Sequence, residues 1–191
     1  NDSLVVGNEA LSTIWDYAQS GLTPSFTWNG PGINSSLAAN DAQFITAVGV
    51  ILNDAAAVGL PGSLLYGPGG LLGTDWEGVS TLDVDDVLVK YTYYGDADLD
   101  GQITSGDYFL VDSYVGTATG NTGNGWLIGD FDYDGTTGGP GDYFLMDNAF
   151  ANQGAPLGGG ASAVPEPGSM LLLILGGLFV MAGRVIRRRR R

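Results

Sequence analysis

The chain has 191 residues, 21 of them acidic and seven basic, giving a formal net charge of −14, with 32 glycines and neither cysteine nor histidine. Without those two residue types there are no disulfides, no cysteine-built zinc sites, no thiol nucleophile and no histidine-based triad. Six of the basic residues, Arg184 and Arg187 to Arg191, stand at the C-terminal end and only Lys90 precedes them, so the acidic remainder repels nucleic acid and favours cations.

The length accommodates one or two small domains and a tail, and the glycine content points to turn-rich structure. The chain starts at Asn1 without a signal peptide, as expected of a piece of something longer. Residues 7–21 carry Leu11, Ile14, Trp15 and Ala18 at helical spacing, with Asn8 placed to cap the start and Gly21 the end. Residues 28–32 form a turn cluster. Asn34-Ser35-Ser36 matches a short glycosylation sequon, and residues 36–41 suit a short helix. Residues 46–52 fit a strand, with a helix as the alternative at this length. Glycine and proline interrupt residues 59–78, which reads as a loop or hairpin. Residues 80–94 read as a strand, and Asp83, Asp85 and Asp86 as its solvated end.

That strand leads into residues 96–107, DADLDGQITSGD. Aspartates at positions one, three, five and twelve, with glycine at six, have the spacing of a calcium loop, because Ca²⁺ is a hard cation that collects oxygen ligands from alternate residues of a tight turn. The expected ligands are Asp96, Asp98, Asp100, the backbone carbonyl of Gln102, Thr104 directly or through water, and Asp107. The pattern returns at residues 130–142, DFDYDGTTGGPGD, giving Asp130, Asp132, Asp134, Thr136 and Asp142, with one extra residue that leaves the reach of Asp142 open. A solvated acidic turn explains one such loop poorly and two worse, since the first is followed by YFLVD and the second by YFLMD. A helix is expected after each loop, at residues 108–115 and 143–150, with residues 116–125 as connector and Trp126, Leu127 and Ile128 returning to the core. A module this small is marginal alone, so ion binding and folding are expected to be coupled.

Residues 153–163 are a glycine- and alanine-rich linker. An uncharged run then extends from Pro167 to Gly183, at the lower edge of what spans a bilayer as a helix. The arginines would hold their end in the cytoplasm and place the rest outside, with membrane contact through residues 169–186.

The tail, with Pro165, Glu166 and Pro167 ahead of the apolar run and the arginines, closely resembles the PEP-CTERM sorting signal of Gram-negative bacteria. The resemblance implies recognition by an exosortase, which would cut near Pro165-Glu166-Pro167. The paired loops resemble dockerin type I repeats, which likewise close with an aspartate. Dockerins bind cohesin modules through loop positions ten and eleven. Here these are Ser105-Gly106 and Gly139-Pro140, so calcium carries over and a cohesin partner does not follow. Residues 27–36 and 87–101 also look like the C-terminal end of repetitive surface proteins of planctomycetes and verrucomicrobia.

The expected fold class is α+β: a small mixed unit at 1–94, a dockerin-like pair at 95–152, a linker at 153–163, and a sorting signal with one transmembrane helix at 164–191. The expected function is that of a non-enzymatic exported surface or exopolysaccharide-associated protein, holding two calcium ions and sorted by an exosortase. The alternative is the end of an exported polysaccharide-degrading hydrolase or of a cohesin-binding protein, with any catalytic domain upstream. No nucleophile–base pair is available without histidine or cysteine, and the clustered acids are accounted for by ligation.

Overall fold

A computed structural model of the chain describes residues 3–118 and 124–158. Three antiparallel strands, β1 (Ser3–Val6), β2 (Thr46–Leu52) and β3 (Val87–Tyr93), pair in the order β1-β3-β2. The sequence TAVGVIL of β2 is buried at six of its seven positions, as befits a β-branched run covered on both faces, so residues 46–52 form the strand. The register sets Thr46 opposite Tyr93 and Leu52 opposite Val87. β3 is shorter than residues 80–94, because Asp83 to Asp86 fold back on themselves. The Asp86 amide donates to the Asp83 carbonyl at 3.2 Å and the Asp83 amide to Asp86 Oδ2 at 2.8 Å. The edge strand β1, which the sequence reading does not anticipate, pairs Ser3 with Lys90 and Val6 with Val87.

Helix α1 (Leu11–Gly21) buries Leu11, Ile14, Trp15 and Ala18, the face given by their spacing. It starts later than expected and Asn8 does not cap it. The cap position is Ala10, without a side-chain bond, while Asn8 takes a left-handed φ of 60° in the bend after β1. The helix ends where the chain crosses itself, since a Cβ on Gly21 would stand 1.6 Å from the Ile33 carbonyl oxygen. Helix α2 (Ser36–Ala39) is capped by Ser35. The sequon residue Asn34 donates its amide to the carbonyls of Gly30 and Gly32 at 3.0 and 3.4 Å, folding the turn. Residues 59–78 hold isolated bridges, Tyr66 with Gly73 and Trp76 with Val79, rather than paired strands.

Helices α3 (Ser105–Tyr114) and α4 (Pro140–Asn152) follow the two acidic loops, and a 3₁₀ turn at Gly125–Ile128 precedes the second. The described residues form one compact unit. Its core joins the N-terminal elements to the loops through Tyr133, whose ring lies 4.4 Å from Trp15, 6.0 Å from Trp28 and 5.7 Å from Trp126. The Tyr133 hydroxyl donates to the Val48 carbonyl at 2.7 Å, tying the second loop to β2. Among the described residues no helix is long and apolar enough to cross a membrane. The span expected at residues 169–186 and the motif Pro165, Glu166 and Pro167 lie outside the described residues.

Candidate metal centre

The loops repeat one hydrogen-bond frame. In the first, Asp107 Oδ1 accepts from the amides of Ala97 (2.8 Å) and Asp98 (3.4 Å), and its Oδ2 from the amide of Thr104 (2.7 Å). In the second, Asp142 Oδ1 accepts from Phe131 (2.7 Å) and Asp132 (3.3 Å), and its Oδ2 from Gly139 (2.9 Å). The amide of Asp100 bonds Asp98 Oδ1 as that of Asp134 bonds Asp132 Oδ1, both at 3.1 Å. Gly101 donates to Asp96 Oδ2 at 2.8 Å and Gly135 to Asp130 Oδ2 at 3.0 Å. Gln102 donates to Asp100 Oδ1 and Thr136 to Asp134 Oδ1, at 2.8 and 2.7 Å. Gly101 and Gly135 have φ of 100° and 90°, a backbone that a Cβ would strain. The extra residue of the second loop falls between Thr136 and Gly139, so Asp142 still reaches the amides that Asp107 reaches.

Even-numbered positions fasten each loop to the body. Ala97, Leu99 and Ile103 are buried in the first loop, and Phe131 and Tyr133 in the second. Leu99 and Tyr133 are both left-handed, at φ 60° and 61°, a conformation uncommon for bulky residues. Each turns its carbonyl towards side-chain donors. Lys90 Nζ (2.8 Å) and Trp76 Nε1 (3.4 Å) reach the Leu99 carbonyl, and Gln19 Nε2 (2.6 Å) that of Tyr133. Trp126 donates to the Asp96 carbonyl at 2.8 Å and the Tyr66 hydroxyl to that of Asp98 at 2.8 Å. These anchors escape a motif search because they belong to ordinary apolar positions and to distant segments.

Helices α3 and α4 meet through reciprocal bonds: the Tyr108 hydroxyl donates to Asp147 Oδ1 at 2.6 Å, and that of Tyr143 to Asp112 Oδ1. Thr104 caps α3. Its hydroxyl accepts from the Gly106 amide at 3.1 Å and donates to Asp107 Oδ2 at 3.0 Å, closing a capping box.

Carboxylate oxygens of Asp96, Asp98 and Asp107 lie within 4.8 Å of one another, as do those of Asp130, Asp132 and Asp134. Asp100 and Asp142 stand outside these close groups. Asp96 is fully buried. Its Oδ2 accepts from Gly101 and from the Thr92 hydroxyl, while its buried Oδ1 is reached by no donor. Burial, then the charges of Asp107 and Asp98, push the Asp96 carboxyl well above its ordinary range. Burial and the same kind of crowding raise Asp98 to about 7, burial with Asp132 raises Asp142 to about 7, and burial lifts Asp107 and Asp132 as well. Three carboxylates crowded around a buried oxygen without a donor are costly as they stand. A cation placed among them would supply what the protein's own groups do not, and an all-oxygen donor set suits a hard one.

Residues 163–191 match the family model described as the PEP-CTERM protein-sorting motif. The chain is thus an exported protein, made as a membrane-anchored precursor and recognised by an exosortase. No curated protein and no solved structure matches it.

Proposed function

We propose that the chain is a non-enzymatic cell-surface protein whose folded body is held together by two calcium ions, one in each acidic loop, and which its tail delivers to an exosortase acting near Pro165-Glu166-Pro167. The observation that carries the calcium reading is the twofold frame. The same six backbone amides per loop are organised by aspartates, and the first-position Asp96 is buried with one oxygen that no donor satisfies. Oxygen-only ligands with no nitrogen or sulfur donor favour Ca²⁺ over zinc, and a ring of loop residues rather than rigid octahedral geometry favours it over Mg²⁺. In the first loop Asp96, Asp98 and Asp107 would hold the ion together with the Gln102 carbonyl; in the second, Asp130, Asp132 and Asp134 with that of Thr136. The loops resemble dockerin type I repeats in this respect. When bound, the ions supply positive charge that lets buried carboxylates ionise.

Calorimetric titration of the chelator-stripped chain tests the reading. Two ions should bind, with a rise in thermal stability and with Mg²⁺ a poor competitor. No binding at millimolar calcium would sink it.

A further inference from the structure

After α4 the chain crosses the first loop on its way out of the folded body, and it is fastened there repeatedly. Gln153 makes a two-point contact with Ile103, whose amide donates to Gln153 Oε1 at 2.9 Å while Gln153 Nε2 donates to the Ile103 carbonyl at 3.0 Å. The Leu157 amide donates to the Gly101 carbonyl at 3.0 Å. The Tyr93 hydroxyl accepts from the Gly154 amide at 2.9 Å and donates to the Ala155 carbonyl at 3.1 Å. Approach is close enough that a Cβ on Gly101 would stand 2.1 Å from the Leu157 carbonyl oxygen. One on Gly158 would stand 2.4 Å from Glu77 Oε1 and 2.7 Å from Lys90 Cε, within the buried pair that Lys90 and Glu77 form at 2.7 Å.

These contacts bracket Gln102. Gly101 is held on one side and Ile103 on the other, while Gly101 also donates to Asp96 and Gln102 to Asp100. The segment that leaves the body therefore grips the same residues that would present a backbone carbonyl to an ion. The second loop is gripped at the corresponding place by the stretch after α3. There Gly116 donates to the Thr137 carbonyl at 2.8 Å and Thr137 to the Thr117 carbonyl at 3.0 Å. That grip lies within the body. The grip on the first loop belongs to the chain that continues into the sorting motif.

We propose that residues 153–158 are an ion-dependent strap: calcium in the first loop fastens it, and loss of that ion frees it and lengthens the tether to the sorting motif. This rests on the calcium reading of the first loop. With the strap fastened, six residues, 159–164, lie between it and Pro165 in the sequence. With it free, twelve residues counted from Gln153 do so, and the length of chain between the folded body and the motif becomes a function of external calcium.

Hydrogen exchange on the 191-residue chain in detergent micelles, with and without calcium, tests this alongside calorimetry. Calcium should slow exchange at the Gly154 and Leu157 amides at least about tenfold. Gln153→Ala should abolish much of that protection in loaded protein. By reciprocity it should weaken one calcium site about fivefold and leave the other alone. Gln153 is only half-buried, so this variant should fold. If two ions bind but exchange at these amides is the same with and without calcium, the strap is overturned and the calcium reading stands. If no ion binds, both fall.

Discussion

In the first loop the close group of carboxylates is Asp96, Asp98 and Asp107, whereas in the second it is Asp130, Asp132 and Asp134. The closing aspartate thus joins the group in one loop and stands apart in the other, although both make the same three bonds to backbone amides. The second loop also carries one inserted residue. It lengthens the turn before α4, and the helix entry absorbs it with Pro140 at the first position and Gly139 bonded to Asp142. Shaping a loop and joining its close group of acids are therefore separable for one carboxylate. The second loop keeps the shape with a different set of acids close together, and the first is the more enclosed.

The largest effect should come from Asp96→Asn. Removing the buried charge should weaken the first site about a hundredfold or more and reduce the calorimetric stoichiometry from two ions to one. Asp130→Asn should do the same to the second site, and equal losses of both ions in either variant would show that the loops do not act separately. Next is Gly49→Ala on β2, where a Cβ would stand 2.6 Å from Leu99 Cδ2 and 2.7 Å from the Trp126 ring, between the two loops' anchors. Overpacking there should cost about 1–3 kcal/mol by denaturant unfolding and loosen both loops together.

A pH series sharpens the contrast further. Asp98 in one loop and Asp142 in the other are both raised from 3.8 to about 7. Between those values the ion-free fold retains protons that the unfolded chain has given up, so its stability falls as pH rises through the window. In the first loop calcium must displace the Asp98 proton, so its affinity should rise through the window and drop about fivefold from pH 7 to pH 6, as a group titrating near 7 goes from about half to about nine-tenths protonated. The gap in melting temperature with and without calcium should be wide at pH 8 and narrow at pH 5; a gap independent of pH would contradict the burial of these acids. Smallest should be Tyr108→Phe and Tyr143→Phe, each removing one exposed bond between α3 and α4 and each costing about 0.5–1 kcal/mol in the same unfolding assay. Unequal costs would break the reciprocity of the pair.

The acidic positions and their glycines were legible in the sequence because side-chain spacing in a tight loop is a local property. So were the apolar face of α1 and the β-branched run of β2. What the sequence did not disclose depends on distance along the chain. The ring cluster around Tyr133 gathers Trp15, Trp28 and Trp126 from well-separated segments, which no periodicity reports. Leu99 and Tyr133 adopt left-handed backbone that their residue types disfavour, held by donors from Lys90, Trp76 and Gln19. Gln153 sits in a stretch whose composition reads as linker, yet it completes a backbone pairing with Ile103 fifty positions earlier. Asn8 looked like a cap and became a bend, because β1 ends directly before it.

The crossed grips also set a timetable. A chain made from its N-terminal end presents residues 96–107 before residues 130–142, but the second loop needs only the stretch after α3 to be gripped, which precedes the loop itself. The first loop waits for Gln153 and Leu157, which come well after it in the chain. The loop that appears first is therefore the last to be finished, and its completion depends on the residues that lead into the sorting motif.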